Sequence, residues 1–201
     1  NSGDVGSLAP IDGDVFLAEE PRRTAIVPRV VAAVADRIPA YFGVRPDDIQ
    51  VVAPVYRGPC GVDALNAGLR EALNPPADRP AVGGLRAGDR VMQTRNDAER
   101  DVSNGDIGTV VDADVRRRAL RVAFPRGEVR YDRDQMRDLV PAWAVTVHKS
   151  QGGEWPVVVL VVDASHRAML WRNLVYTAVT RARDALVVVG QAAALRSAAE
   201  H

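Results

Sequence analysis

The chain predicts an α/β domain with a mainly parallel sheet, interrupted by a small inserted β-barrel. Three observations lead there. Apolar runs of strand length, at residues 50–56, 157–162 and 185–190, alternate with stretches of helical spacing, and strands that alternate with helices pair in parallel. Between residues 88 and 138 the elements become short and closely spaced. From Leu139 the long-spaced apolar pattern resumes.

Residues 1–13, rich in Gly, Ser and Asp, read as a flexible lead-in. A short strand follows at 15–18. Over 28–41 the residues Val30, Val31, Val34 and Ile38 recur at helical spacing. The strand at 50–56 runs into a turn, Arg57 to Gly61, and then an amphipathic helix over 62–73. Asn74, Pro75 and Pro76 stop that helix, since proline cannot continue it. Residues 77–84 are expected as a linker. Short strands at 90–93, 107–113, 119–124 and 128–131, with turns between them, give the barrel pattern. Strands at 143–147 and 157–162 flank a polar loop. A helix over 172–183, with Leu174, Val175, Ala178, Val179 and Ala182 on one face, leads into the strand at 185–190. The predicted organisation is a discontinuous domain, 1–87 with 139–201, and an insert at 88–138.

Composition narrows the classes. The chain has 201 residues, 47% of them hydrophobic, enough for one core with an insertion. Its formal net charge is zero, so any nucleic-acid contact must come from a local surface. A single cysteine, Cys60, excludes an internal disulfide and a cysteine-based zinc site, and fits a reducing cytoplasm. No apolar run approaches the ~20 residues of a membrane span. Asp47, Asp48, Asp112 and Asp114 lack the spacing of a metal site, so no protein-bound metal is expected.

The loop Thr146-Val147-His148-Lys149-Ser150-Gln151-Gly152-Gly153-Glu154 holds the chain's one lysine. Main-chain N–H groups at its glycines, Gly153 among them, can approach a phosphate closely, because glycine adds no Cβ. Thr146, His148, Lys149 and Ser150 carry donors of the kind that hold nucleic-acid backbones. Arg181 lies off the apolar stripe of its helix, where a guanidinium can reach a charged ligand across an interface. Arg57, in a Gly/Pro turn between a strand and a helix, has the geometry of a phosphate sensor. In the barrel, Arg95 and Asn96 are candidates for DNA contact, while Asn104-Gly105 reads more simply as a tight turn and Arg116 to Arg118 as a hairpin tip. Trp143, Trp155, Trp171 and Tyr176 are expected to pack, and His166 has no visible partner.

The loop at 146–154 and the segment RNLVYTAVTRAR at 172–183 resemble motifs V and VI of superfamily 1 helicases. The likeness is greatest to the RecD-like group, ATP-dependent DNA helicases related to the alpha subunit of exodeoxyribonuclease V. Residues 51–74 resemble that group's motif IV region, 88–111 the start of its inserted SH3-like barrel, and 14–20 the strand opening its second motor domain.

The resemblance implies a RecA-like (P-loop NTPase-type) second motor domain and makes several residue roles expectations. Thr146, His148, Lys149 and Ser150 would lie near single-stranded DNA. Gln151 and Glu154 would lie nearer the nucleotide, with Glu154 at the ribose. Arg181 would meet the terminal phosphate of ATP, and Arg57 would be the motif IV arginine. ATP and Mg2+ would be cofactors of a longer parent, with none bound by this stretch alone. The reason is that no G-x-x-x-x-G-K-[ST] loop occurs here: His148 precedes Lys149 where glycine is required. Implied partners are a preceding RecA-like domain, single-stranded DNA and nuclease subunits, and the implied direction is 5′ to 3′. Two other readings stay open on the sequence: a non-enzymatic nucleic-acid-binding adaptor, and the helicase part of a relaxase.

Overall fold

The computed structural model describes residues 8–77, 79–166 and 172–200. It divides into two compact units, residues 1–73 with 144–201 and residues 74–143.

The first unit opens with a hairpin of β1 (Ala9–Asp12) and β2 (Val15–Glu19), paired antiparallel around a turn at Gly13. Part of the expected lead-in is therefore a strand. Helix α1 (Arg23–Ala32) passes through a π-helical turn, Ala33–Arg37, into α2 (Ile38–Phe42). The wide turn comes just before Pro39, which has no N–H for a regular helical bond. The helix starts earlier than the apolar spacing indicates, because Ile26 adds a buried turn ahead of Pro28. Ile26, Val30, Val34 and Ile38 form its buried face. Strand β3 (Ile49–Ala53), buried at every position, leads through the 54–61 turn to α3 (Val62–Leu73).

The second unit is all-β, with its own core. The expected linker instead forms a two-stranded ribbon of β4 (Ala81–Val82) and β5 (Leu85–Arg86), turned by Gly83 and Gly84, both at positive φ. The strands β6 (Arg90–Gln93), β7 (Ile107–Asp114), β8 (Ala119–Phe124), β9 (Gly127–Tyr131) and β10 (Leu139–Pro141) make an antiparallel sheet in the order β10-β6-β7-β8-β9. Strand β10 pairs with β6 through Val140 and Met92, so the sheet draws in residues past 138 that the apolar spacing assigned elsewhere. The inward side chains, among them Val91, Val110, Leu120, Val122 and Phe124, cluster around the buried Tyr131. Its hydroxyl donates to Gln93 Oε1 at 2.9 Å, and burial pushes its pKa up to about 12.

The chain returns to the first unit through β11 (Ala144–Thr146), β12 (Trp155–Val162), α4 (Arg172–Val179), β13 (Ala182–Gly190) and α5 (Ala192–Glu200). The sheet order is β1-β2-β13-β12-β3-β11, and all neighbours after β1 are parallel. Residues 157–162 of β12 are fully buried, as expected for a central parallel strand covered on both faces. Register places Val159 beside Val187 on one side and Val51 on the other.

Because the second unit has its own core, residues 74–143 expressed alone should melt cooperatively. Circular dichroism during heating checks this, and a featureless melt would show that the core is not self-sufficient.

Candidate nucleotide and nucleic-acid edges of the parallel sheet

A parallel sheet has two chemically different edges. Strand β12 has eight residues, so the carboxyl and amino edges lie roughly 25 Å apart. Strand β11 ends at the carboxyl edge with Thr146, beside Ala53 of β3. Strand β12 begins at the amino edge with Trp155, beside Ala182 of β13. The segment 147–154 therefore runs back from one edge to the other. His148 and Lys149 stand exposed near its start, and Glu154 is exposed at its end.

At the carboxyl edge the segment folds into a 3-10 turn, His148–Ser150. The N–H of Val147 donates to Ala53 C=O at 3.2 Å, continuing the pairing with β3. Thr146 Oγ1 accepts from the Lys149 N–H at 3.3 Å. Ser150 departs from expectation. It is fully buried, and its hydroxyl donates to Val147 C=O at 2.7 Å, so its side chain serves to close the turn. Arg57 is exposed in the turn that follows β3, on this same edge. Gly61 closes that turn, where an added Cβ would lie 2.7 Å from the Arg57 and Tyr56 carbonyl oxygens.

At the amino edge the segment meets the end of α4. The expected helix over 172–183 stops at Val179. Arg181 sits in the following turn, its N–H donating to Ala178 C=O at 3.2 Å, and Ala182 and Arg183 already belong to β13. Strand pairing overrides the helical period here, because the Trp155 N–H donates to Arg181 C=O at 3.0 Å. Arg181 Nη1 donates back to Gly153 C=O at 3.2 Å. Its Nε is buried and has no hydrogen-bond partner among the described residues. No carboxylate neutralises Arg181 among the described ion pairs, whereas Arg183 pairs with Asp184 at 3.4 Å. Gly153 packs closely on Trp155, and an added Cβ would overlap the indole ring unless one of the two moved.

The structure thus brings Gly153, Glu154 and Arg181 together and leaves Arg57 on the opposite edge with Thr146, His148 and Lys149. Gln151 is exposed between the two groups. In the second unit Arg95 and Asn96 are exposed, but Asn96 Oδ1 accepts the Asn104 N–H at 2.8 Å and so shapes its own turn. Tyr176 is 67% exposed rather than packed in the core, since the buried face of α4 is carried by Leu174 and Ala178. Trp143 is buried, Trp155 rests on Gly153, and Trp171 lies outside the described residues.

Sequence reading also missed a buried polar group at the carboxyl edge. Arg23 Nε lies 3.0 Å from Asp163 Oδ1, tying the first turn of α1 to the end of β12. Burial would raise the Asp163 pKa, but hydrogen bonds from Ser165 and Arg23 outweigh it and hold the carboxyl below its usual value. His166 packs against this group, and burial lowers its pKa. Burial likewise pushes the Cys60 thiol up to about 11. Arg23 and Asp163 are 140 residues apart, so no local pattern could have joined them.

Two family models match the chain. The UvrD-like helicase C-terminal domain matches residues 141–189, and the ATP-dependent RecD-like DNA helicase SH3 domain matches residues 65–124. A Bacteroides Pif1 helicase in complex with ADP-AlF3 and ssDNA has a TM-score of 0.52, covering 84% of this chain and 49% of that one at 18% identity, which shows a shared fold. Fold and domain matches together are those of the second motor domain of a superfamily 1 helicase. The ATP-dependent RecD2 DNA helicase of Deinococcus radiodurans is 42% identical over 156 residues, 77% of this chain and 22% of that protein. The RecBCD enzyme subunit RecD of Mycolicibacterium smegmatis is 32% identical over 157 residues, 77% of this chain and 27% of that protein. The chain belongs to the RecD-like helicases. It spans about a quarter of the length of these relatives.

Gly153→Ala should destabilise the first unit by about 1–3 kcal/mol, because Trp155 or the segment must move. Gln151→Ala, at an exposed position, should cost under about 0.5 kcal/mol. Urea denaturation compares them, and equal midpoints would mean that Trp155 does not rest on Gly153.

Proposed function

We propose that this chain supplies half of an ATP cleft and half of a single-stranded DNA track in a 5′-to-3′ DNA helicase, working with a first RecA-like domain that carries the phosphate loop. The amino edge is the nucleotide side and the carboxyl edge the DNA side. The single observation that carries this reading is Arg181, held by Gly153 C=O yet not neutralised by a carboxylate among the described ion pairs. A positive charge kept free at a domain edge is what an anionic partner across a cleft requires, and a degenerate scaffold would have no use for it.

Phosphoryl transfer spreads negative charge over the equatorial oxygens of the transferring group, and an arginine donated from a second domain stabilises it. Arg181 has that role in this proposal. Glu154 reaches the ribose, and Gln151 lies nearer the nucleotide. Mg2+ would enter with ATP and be held by the first domain rather than by this chain. On the other edge Thr146, His148 and Lys149 hold the DNA backbone. Arg57 joins them, in place of a role at the phosphates of ATP, because it shares their edge. Arg95 and Asn96, exposed in the second unit, are separate candidates for contact with the DNA backbone. Backbone contacts make binding indifferent to base sequence and sensitive to salt. A reducing cytoplasm suits the single cysteine.

In a helicase joining this chain to a first motor domain, Arg181→Ala should nearly abolish ATP hydrolysis and leave DNA affinity within about threefold, since the guanidinium acts mainly on charge that develops in the transition state. Arg181→Lys should rescue little, because a point charge lacks the planar fork. Arg183→Ala should be mild, since Arg183 is already paired with Asp184. Steady-state ATPase assays with excess oligonucleotide decide it: activity lost with Arg183 and kept with Arg181 would reverse the assignment.

Lys149→Ala should weaken binding of oligo(dT) and lower the slope of log affinity against log salt by about one phosphate contact. Fluorescence anisotropy across a salt series measures it, and an unchanged slope would remove this loop from the DNA track.

A further inference from the structure

Strand β11 is the weakest-looking part of the candidate DNA edge. It has three residues, lies at the end of the sheet order, and among the described residues pairs only with β3. Its residues alternate in direction. Val147, just past its end, gives its N–H to Ala53 of β3, so Val145 also turns its backbone toward β3. Ala144 and Thr146 turn theirs to the open side. An unpaired N–H and C=O at Ala144, which is fully buried, would each be costly.

Asn66 supplies both missing bonds. Its Nδ2 donates to Ala144 C=O at 2.9 Å, and its Oδ1 accepts the Ala144 N–H at 2.9 Å. The carboxamide, itself buried, stands in for one residue of an additional parallel strand. It projects from the second turn of α3, the helix that begins directly after the Arg57 turn. One helix thus follows one candidate DNA-contacting residue and grips the strand that carries the others.

We propose that Asn66 is a positioning residue for DNA. Through its paired bonds with Ala144 it fixes the roll of β11, and with it the direction in which Thr146, His148 and Lys149 face. The proposal rests on reading the carboxyl edge as the DNA track. Asn66 touches no DNA; it acts through the strand. The chemistry is specific to a carboxamide. Aspartate has the same shape but offers an acceptor where Ala144 C=O needs a donor, and alanine offers neither group.

The test is a double-mutant cycle between Asn66 and Lys149, read as oligo(dT) affinity by anisotropy. Asn66→Asp should weaken binding about tenfold, in line with the loss of a buried hydrogen bond that becomes a repulsion. Adding Lys149→Ala to Asn66→Asp should cost clearly less, in fold-change, than Lys149→Ala costs alone, because the lysine is already misdirected. Full additivity would overturn the proposal, as would an Asn66→Asp chain that binds like the parent while Lys149→Ala weakens binding. If Lys149→Ala alone leaves affinity and salt slope unchanged, the DNA reading of this edge falls first, and the role of Asn66 falls with it. Hydrogen exchange of the Ala144 amide gives a second readout in the milder Asn66→Ser chain. Protection at Ala144 should drop at least about tenfold while Val145 stays protected by β3. An Ala144 amide that remains fully protected in Asn66→Ser would also overturn the proposal.

Discussion

Two strands that run parallel to the same neighbour cannot be joined by a tight turn. Both β11 and β12 are parallel to β3, so the chain between them must travel the length of the sheet. Here it does so in eight residues, 147–154, with one 3-10 turn and no crossover helix. Everything proposed for this protein depends on that segment. Its first residues face the carboxyl edge and its last face the amino edge. In the proposed motor, a shift of the amino end, where Gly153 C=O receives Arg181, would be carried along this short connection to the residues around Lys149. The two proposed chemistries would thereby be linked through the covalent chain.

Each end of the segment is held by a few directional bonds. At the carboxyl end they are Val147 N–H to Ala53, the inward Ser150 hydroxyl, and the Asn66 carboxamide on Ala144. At the amino end they are Trp155 N–H to Arg181 C=O and the guanidinium to Gly153 C=O. Glycine permits the second set, since any side chain at position 153 would collide with the Trp155 ring. Charge follows the same economy. The chain is neutral overall, so affinity for an anion must come from a local surface.

Much of this was legible in the sequence because the central strands are unbroken apolar runs and the loop between two of them is unmistakably polar. The less legible features share one cause: a bond to a residue distant in sequence. The helical period runs on through Thr180, Arg181 and Ala182, yet pairing of Ala182 with Trp155 turns the last of these into a strand. Ser150 has the same donor as Thr146, and only its burial separates their roles. Tyr176 falls on the exposed side of a helix whose aromatic residue suggested packing. Asn66 looks like an ordinary polar residue of an amphipathic helix, and its partner is 78 residues away. The ribbon at 81–86 hid in Gly-Gly, which signals a turn but not that the two residues on either side of it pair.

The most direct measurement is hydrogen exchange on a helicase joining this chain to a first motor domain, with oligo(dT) and a non-hydrolysable ATP analogue added separately. DNA should slow exchange around Arg57 and in 146–149, while the nucleotide should slow exchange in 153–155 and 180–182. Nucleotide should also change the DNA-side rates through 147–154. Protection of the same edge by both ligands, or DNA protection confined to the amino edge, would contradict the proposed division of the two edges.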